Sequence, residues 1–216
     1  MNGAVGIFAI AAVYLQLNHA DILKDLRKED GLLESATAIF YFTASGLFLE
    51  ACRHYRFRNP WCWGYAIMFF MVAAEEISWG QRLLGFATPA ALQQINVQNE
   101  FNVHNIVGIH ENVRLAGLIV ILVICFILPV TNASIPEARV FYQRLKLPVC
   151  PIHAMGVVII AVTFMAYPRW ILGRIIPNLD EVGEFLLSVG LLAFAAAEYS
   201  CVRGRLNRAK GAAAVG

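Results

Sequence analysis

Charged residues are scarce in this sequence. Only 15% of its 216 residues are Asp, Glu, Lys or Arg, whereas a soluble domain carries about 25%. The sequence has 17 Lys and Arg and 15 Asp and Glu, so its net charge is only +2, and it contains no dense basic run. This composition argues against an ordinary soluble enzyme and against a basic nucleic-acid-binding domain, so we expect no nucleic-acid partner.

Several motifs are also missing. The five cysteines occur singly, without a CxxC pair or the close spacing of a disulfide scaffold. The sequence contains neither a phosphate-binding glycine loop nor a dinucleotide fingerprint. Redox-thiol and nucleotide-dependent functions therefore have no support in the sequence.

Apolar residues, by contrast, make up 59% of the chain, and the mean hydropathy is +0.61. Such values are typical of a multi-pass membrane protein, and the lipid bilayer is then its first partner. We predict an all-α polytopic bundle that forms one integral membrane domain over residues 1–216. The six predicted spans lie near residues 1–17, 32–52, 61–79, 112–130, 149–168 and 183–202.

The distribution of basic residues predicts the orientation. The segments 53–60, 131–148 and 203–216 hold ten of the 17 Lys and Arg, and such segments favour the cytoplasmic side. We therefore expect both termini in the cytoplasm and the protein in the cytoplasmic (inner) membrane. Apolar and basic residues alternate with helical spacing after a capping-box pattern at Ser134, which predicts an amphipathic inner helix over 135–147.

The acidic residues collect on the opposite side. With this topology, twelve of the fifteen Asp and Glu fall on the outer side or in the outer end of a span. Carboxylates inside an apolar run are costly and usually face a polar cavity, so Glu34, Glu75 and Glu76 are candidate functional residues. Asp180, Glu181 and Glu184 are better explained as acids that stabilise a helix N-terminus.

A structured outer loop is predicted over residues 80–111. If the third span stays helical to Arg82, then Glu75, Ser78 and Arg82 share one face, and Thr88-Pro89 predicts a short helix over 89–95. Residues 95–104 alternate between apolar and polar, which predicts an extended segment whose apolar side rests on the bundle. Its polar side would line a pocket with Asn96, Gln98, Glu100, Asn102 and His104.

Two runs in this region, EEISWGQRLLGFATP and INVQNEFNVHN, resemble runs in a group of bacterial multi-pass membrane proteins. That group has no established activity, so the resemblance implies a membrane location and no reaction. The chain is also similar, more loosely, to CAAX-protease-like intramembrane proteases, which carry EExxxR and FxxxH motifs. Here Arg82 follows Glu75-Glu76 two positions late, Phe101 precedes His104 one position short, and the third motif is absent.

The leading hypothesis is an outward-facing enzyme that acts by acid/base chemistry on a lipid or lipid-linked substrate. Glu76 and His104 would transfer protons, while Glu75 and Glu34 would set their charge state. Arg82 would bind an anionic group. The other substrate-binding candidates are Gln81, Asn96, Gln98, Glu100 and Asn102.

Two questions stay open at this point. His104, His110 and Glu111 could ligate a metal, but their spacing matches no known metal site, and no cofactor is specified. The rival function is a non-catalytic subunit that binds another membrane protein, or a small transporter. In that case the same acids would bind the partner or carry ions.

Overall fold

The computed structural model describes residues 2–26, 31–96, 101–103, 106–166, 173 and 176–215. Over these ranges the chain is helical without strands, apart from an isolated antiparallel bridge between Asn96 and Ile106. The α-helices are α1 (Asn2–Asn18), α2 (Ala20–Leu26), α3 (Leu32–His54), α4 (Pro60–Glu76), α5 (Gln81–Leu84), α6 (Ala90–Gln93), α7 (His110–Leu122), α8 (Leu128–Ser134), α9 (Pro136–Leu145), α10 (Ile152–Ala166) and α11 (Pro177–Val215). The predicted all-α class is therefore confirmed.

Among the described residues, three helical stretches are long and apolar enough to cross a membrane, namely Leu32–His54, Asn112–Ser134 and Asn178–Arg208. A fourth results if α1 and α2, which meet at a bend of 118°, form one broken span. The prediction of six spans is not confirmed. One reason is length, because α4 has 17 residues and α10 has 15. These lengths correspond to about 25 and 22 Å, less than the roughly 30 Å of a hydrocarbon core.

Helix α3 lies between α4 and α11 and carries the centre of the core. Phe48 of α3 is fully buried, and its ring lies 5.2 Å from the ring of Phe194 in α11. About two turns nearer the beginning of each helix, the ring of Phe40 in α3 lies 5.7 Å from the ring of Phe185 in α11. Because both pairs follow the same chain order, α3 and α11 run parallel. The beginnings of these two helices therefore meet at the same end of the bundle.

Two glycines allow α11 to approach α10 closely. A Cβ atom built on Gly183 would lie 2.5 Å from Cγ of Met165 and 3.0 Å from the carbonyl oxygen of Ala161. A Cβ atom on Gly190 would lie 2.8 Å from Cγ2 of Val158. Small residues at helix contacts are typical of bundles in membranes, where backbones pack closely.

The helix predicted over 135–147 is present as α9, slightly shorter than predicted, whereas its position on the inner side stays a prediction. It connects to the start of α4 through Asn59, whose Nδ2 donates to the carbonyl oxygen of Lys146 at 2.8 Å. Oδ1 of Asn59 accepts from the amides of Trp61 and Cys62, which caps α4. This buried asparagine thus fixes both the beginning of α4 and the position of the loop after α9.

The stretch from α7 to α8 contains a π-helical segment, Val123–Ile127, directly before Pro129. Beyond it, Thr131 shares a hydrogen bond of 2.9 Å with the hydroxyl of Tyr142 in α9. Only 11% of the membrane-compatible window in this stretch is buried, compared with 33% and 44% in the other two candidate spans. It therefore packs least tightly on the bundle.

Candidate functional site

The end of α4 differs from the sequence prediction. The helix ends at Glu76, and Ser78, Trp79 and Gly80 then take left-handed backbone conformations with φ of 47°, 55° and 74°. Residues that carry a side chain rarely adopt this backbone conformation, which costs them about 1–2 kcal/mol each. The prediction that Glu75, Ser78 and Arg82 share a helical face is therefore wrong, because the helix does not continue to Arg82.

Glu75 holds this turn and the following loop together. Its Oε1 accepts a hydrogen bond of 2.6 Å from the indole Nε1 of Trp79, which belongs to the left-handed turn. Its Oε2 accepts one of 2.7 Å from the backbone amide of Val103, 28 residues further along the chain. Both oxygens of Glu75 are thus engaged in fixing the loop, so the geometry favours a positioning role over the catalytic role predicted for this residue.

Buried amide side chains form the centre of the loop. Nδ2 of Asn96 donates to Oδ1 of Asn102 at 2.9 Å, and Nδ2 of Asn102 donates to Oγ of Ser78 at 3.2 Å. Gln81 accepts from the backbone amide of Phe101 at 2.7 Å and donates to Oγ1 of Thr88 at 2.7 Å. The described candidates Gln81, Asn96 and Asn102 therefore bind other parts of the loop.

The predicted sidedness of the extended segment is wrong where the structure describes it. Asn96 and Asn102 are only 5% and 3% exposed, whereas Ile95 and Val103 are 44% and 51% exposed. The physical reason is hydrogen bonding. Asn96 and Asn102 bind each other and the backbone, and these hydrogen bonds outweigh the free energy that burial of Ile95 and Val103 would contribute. The predicted short helix over 89–95 is present as Ala90–Gln93.

The side chain of Glu76 points away from the loop that Glu75 binds. It lines a pocket of about 420 Å³ between α3, α4, α10, α11 and the stretch from α7 to the π-helical segment. This volume lies within the range of small-molecule sites, about 300–1,000 Å³. The aliphatic and sulfur-containing side chains of the wall include those of Met68, Val72, Ile121, Ile124, Cys125, Met165, Leu187 and Leu191.

The charged groups of the pocket lie at one end. Arg114 of α7 forms ion pairs of 3.2 Å with Asp180 and of 3.2 Å with Glu184, both near the beginning of α11. Glu76 and Glu184 line the pocket beside Arg114, and the buried Tyr41 of α3 lines it as well. The pocket therefore has one polar end and a long apolar wall.

Further acids lie near this end. The carboxylates of Glu34, Glu75, Glu181 and Glu184 are close enough to Glu76 to repel it electrostatically. The structure thus brings together the acids that begin α3, end α4 and begin α11, as the sequence predicts. The acids of α11 are more than helix-terminal charges, since two of them hold Arg114.

Some predicted site residues lie outside what the structure describes. Gln98, Glu100 and His104 fall outside the described ranges, and so do the side chains of Arg82, His110 and Glu111. The proton-transfer pair of Glu76 and His104 and the metal-ligand set therefore stay predictions. Among the described residues, no group of three His, Cys, Asp or Glu could hold a metal ion.

Sequence reasoning missed Arg114 and Tyr41 as parts of the site. A signal for Arg114 was available, because it is the only basic residue of an otherwise apolar span, and Asp180 and Glu184 share a helix face at i and i+4. Tyr41 has no such signal, since a tyrosine in an apolar span is common.

No protein-family model matches the chain, and no curated protein or solved structure is significantly similar to it. The resemblance of residues 75–105 to bacterial multi-pass membrane proteins stays a prediction.

Proposed function

We propose that this protein is an enzyme of the cytoplasmic membrane that acts by acid/base chemistry on a lipid or lipid-linked substrate. The main supporting observation is that Glu76 lies at the polar end of an apolar pocket between helices. Glu76 is the proton-transfer group. The pocket end that holds it faces outward, and both termini are cytoplasmic.

The shape of the pocket supports a lipid-like substrate. A polar reaction centre beside an apolar wall fits a molecule whose reactive group adjoins a hydrocarbon chain. Part of the wall belongs to α7 and the π-helical segment, which lie in the least buried of the candidate spans. A molecule dissolved in the bilayer therefore meets the most loosely packed side of the bundle first.

The neighbouring groups support proton transfer at Glu76. Asp180 and Glu184 engage both terminal nitrogens of Arg114, so its charge is held in place beside the pocket. Glu75 accepts a hydrogen bond from the backbone amide of Val103, which anchors this part of the loop beside the end of α4. His104, the next residue in the sequence, remains the predicted proton partner. A positioned carboxylate that can approach its proton within hydrogen-bond distance contributes about 10²–10⁴-fold to such reactions.

Lipid analysis of producing cells tests the proposal. Cells that overproduce the protein should accumulate a lipid species that is absent from cells producing Glu76→Gln, because the amide keeps the shape but cannot accept the proton. Glu50→Gln is the matched control, since Glu50 is paired with Arg53 on the surface near the end of α3 and should leave the new species in place.

Two results would count against catalysis. Identical lipid profiles for wild type and empty cells, with the protein folded in the membrane, would contradict the proposal. Co-purification of a second membrane protein that survives Glu76→Gln would favour the non-catalytic subunit instead.

A further inference from the structure

The charges at the polar end of the pocket restrict the chemical class of ligand that the pocket can bind. Two of the described lining side chains are acidic, Glu76 and Glu184, and one is basic, Arg114. Asp180 adds a third carboxylate through its ion pair with Arg114. With all groups ionised, the acids exceed the base by two charges.

The basic group is also already engaged. Nη1 of Arg114 donates to Asp180 and Nη2 donates to Glu184, each at 3.2 Å. The side chains of Arg114 and Asp180 are only 14% exposed, so water screens these charges weakly. An anionic head group would have to displace one of these carboxylates and would meet repulsion from Glu76. A cationic head group would compensate the acidic excess.

The size of the pocket restricts its ligand. The lining residues extend along α11 from Glu184 to Leu191, which corresponds to about 10 Å, and along α7 and the π-helical segment from Val113 to Cys125, which corresponds to about 18 Å. The pocket volume of about 420 Å³ is near the lower end for small-molecule sites. These dimensions favour one short stretch of hydrocarbon chain over the paired chains of a phospholipid.

We infer that the pocket binds a single-chain amphiphile with a cationic amine head group beside Glu76 and Glu184. This inference rests on the proposed use of the pocket and specifies its ligand. It also differs from the sequence expectation of an anionic group held by Arg82. The chain lies along Val72, Ile121 and Leu187, and the amine lies at the acidic end.

Binding of three probes with the same chain tests the inference. The full-length protein is reconstituted in nanodiscs of zwitterionic phosphatidylcholine and titrated at pH 7 with decylamine, decanol and decyl phosphate. Binding is measured by native mass spectrometry, with empty nanodiscs as the reference for partitioning into lipid. We expect decylamine to bind about tenfold more tightly than decanol, and decyl phosphate to bind most weakly.

Variants then locate the site. Glu76→Gln should remove most of the preference for decylamine and leave decanol binding unchanged, whereas Glu50→Gln should change neither. Val72→Trp should weaken the binding of all three probes, because the larger indole side chain occupies space in the apolar part of the pocket.

Equal or tighter binding of decyl phosphate by the wild-type protein would overturn the inference, and this comparison requires no variant to fold. Full decylamine preference in Glu76→Gln would overturn it as well. Because binding is measured without turnover, the amine preference can fail while the lipid analysis still shows an activity, and the reverse can also occur.

Discussion

Glu75 and Glu76 are adjacent in sequence, yet the structure gives them separate tasks. Glu75 accepts hydrogen bonds from Trp79 and Val103 and so holds the loop. Glu76 lines the pocket with Tyr41. Successive residues of a helix point about 100° apart, so a pair of acids at a helix end can serve a loop and a cavity at once.

Arg114 should be critical for stability. Arg114→Gln leaves Asp180 and Glu184 without their cation in a poorly hydrated site, and breaking such a pair costs about 3–5 kcal/mol. The matched control is Arg53→Gln, since Arg53 and its partner Glu50 have side chains 62% and 44% exposed and exposed pairs contribute at most about 1 kcal/mol. Thermal unfolding in detergent micelles should show a clear drop for the first variant only. Equal melting temperatures would show that the Arg114 pairs are dispensable.

The buried amides of the loop lead to a second prediction. Asn102→Ala removes the side-chain hydrogen bonds that Asn102 forms with Asn96 and with Ser78, and each such bond contributes about 0.5–1.5 kcal/mol. Because the loop can open without the bundle, the expected result is local. Hydrogen exchange of a peptide covering residues 101–107 should accelerate about fivefold to a hundredfold.

Val103→Ala provides the comparison for this experiment. The side chain of Val103 is 51% exposed, and truncation on the surface usually changes stability by less than about 0.5 kcal/mol. Exchange in the same peptide should stay near the wild-type rate. If Val103→Ala were the more damaging change, the apolar side of the segment would be its packed side after all.

The limits of sequence reasoning are visible in these residues. The convergence of Glu34, Glu76 and Glu184 follows from the order of the helices, because α3 and α11 begin at the same end of the bundle and α4 returns along α3 to that end. The break after Glu76 does not follow, because Ser78 and Trp79 adopt left-handed conformations that their residue types disfavour. Hydrogen bonds to residues more than 20 positions away support that turn, and no local pattern encodes them.

At the scale of helices, the contact between α10 and α11 depends on two positions without side chains. The carbonyl of Ala161 and the side chain of Met165 occupy the space where a Cβ atom of Gly183 would lie. A glycine inside a helix costs roughly 0.5–1 kcal/mol relative to alanine, so the close approach of the helices must outweigh that cost.

Gly183→Ala should therefore lower stability, although alanine favours helices. Overpacking of this kind costs about 1–3 kcal/mol. Gly204→Ala is the control in the same helix, because no atom lies within 4 Å of its Cβ position. There the substitution should be neutral or stabilising by up to about 1 kcal/mol. The apparent melting temperature in detergent should fall for Gly183→Ala and should stay level or rise for Gly204→Ala. A stabilising Gly183→Ala would show that α10 and α11 can separate at little cost.

For the whole molecule, orientation is the prediction with the widest consequences. With cysteines replaced by serine, single cysteines at Gln94 and Ala213 should differ in labelling by an impermeant thiol reagent on intact spheroplasts. Gln94 is exposed in the loop that we expect to lie outside, so it should react, whereas Ala213 near the C-terminus should react only after lysis. The opposite pattern would place the pocket's polar end on the cytoplasmic side.

The π-helical segment before Pro129 has a consequence for the two halves of its span. Proline lacks an amide hydrogen, and in a regular α-helix its ring would collide with the carbonyl of Cys125. A π turn adds one residue and so rotates everything after it by about 100° around the axis. The first half can then present Ile121 and Ile124 to the pocket while the second presents Thr131 to α9. The π-helical segment thus provides the rotation that lets one candidate span contact two differently oriented neighbours.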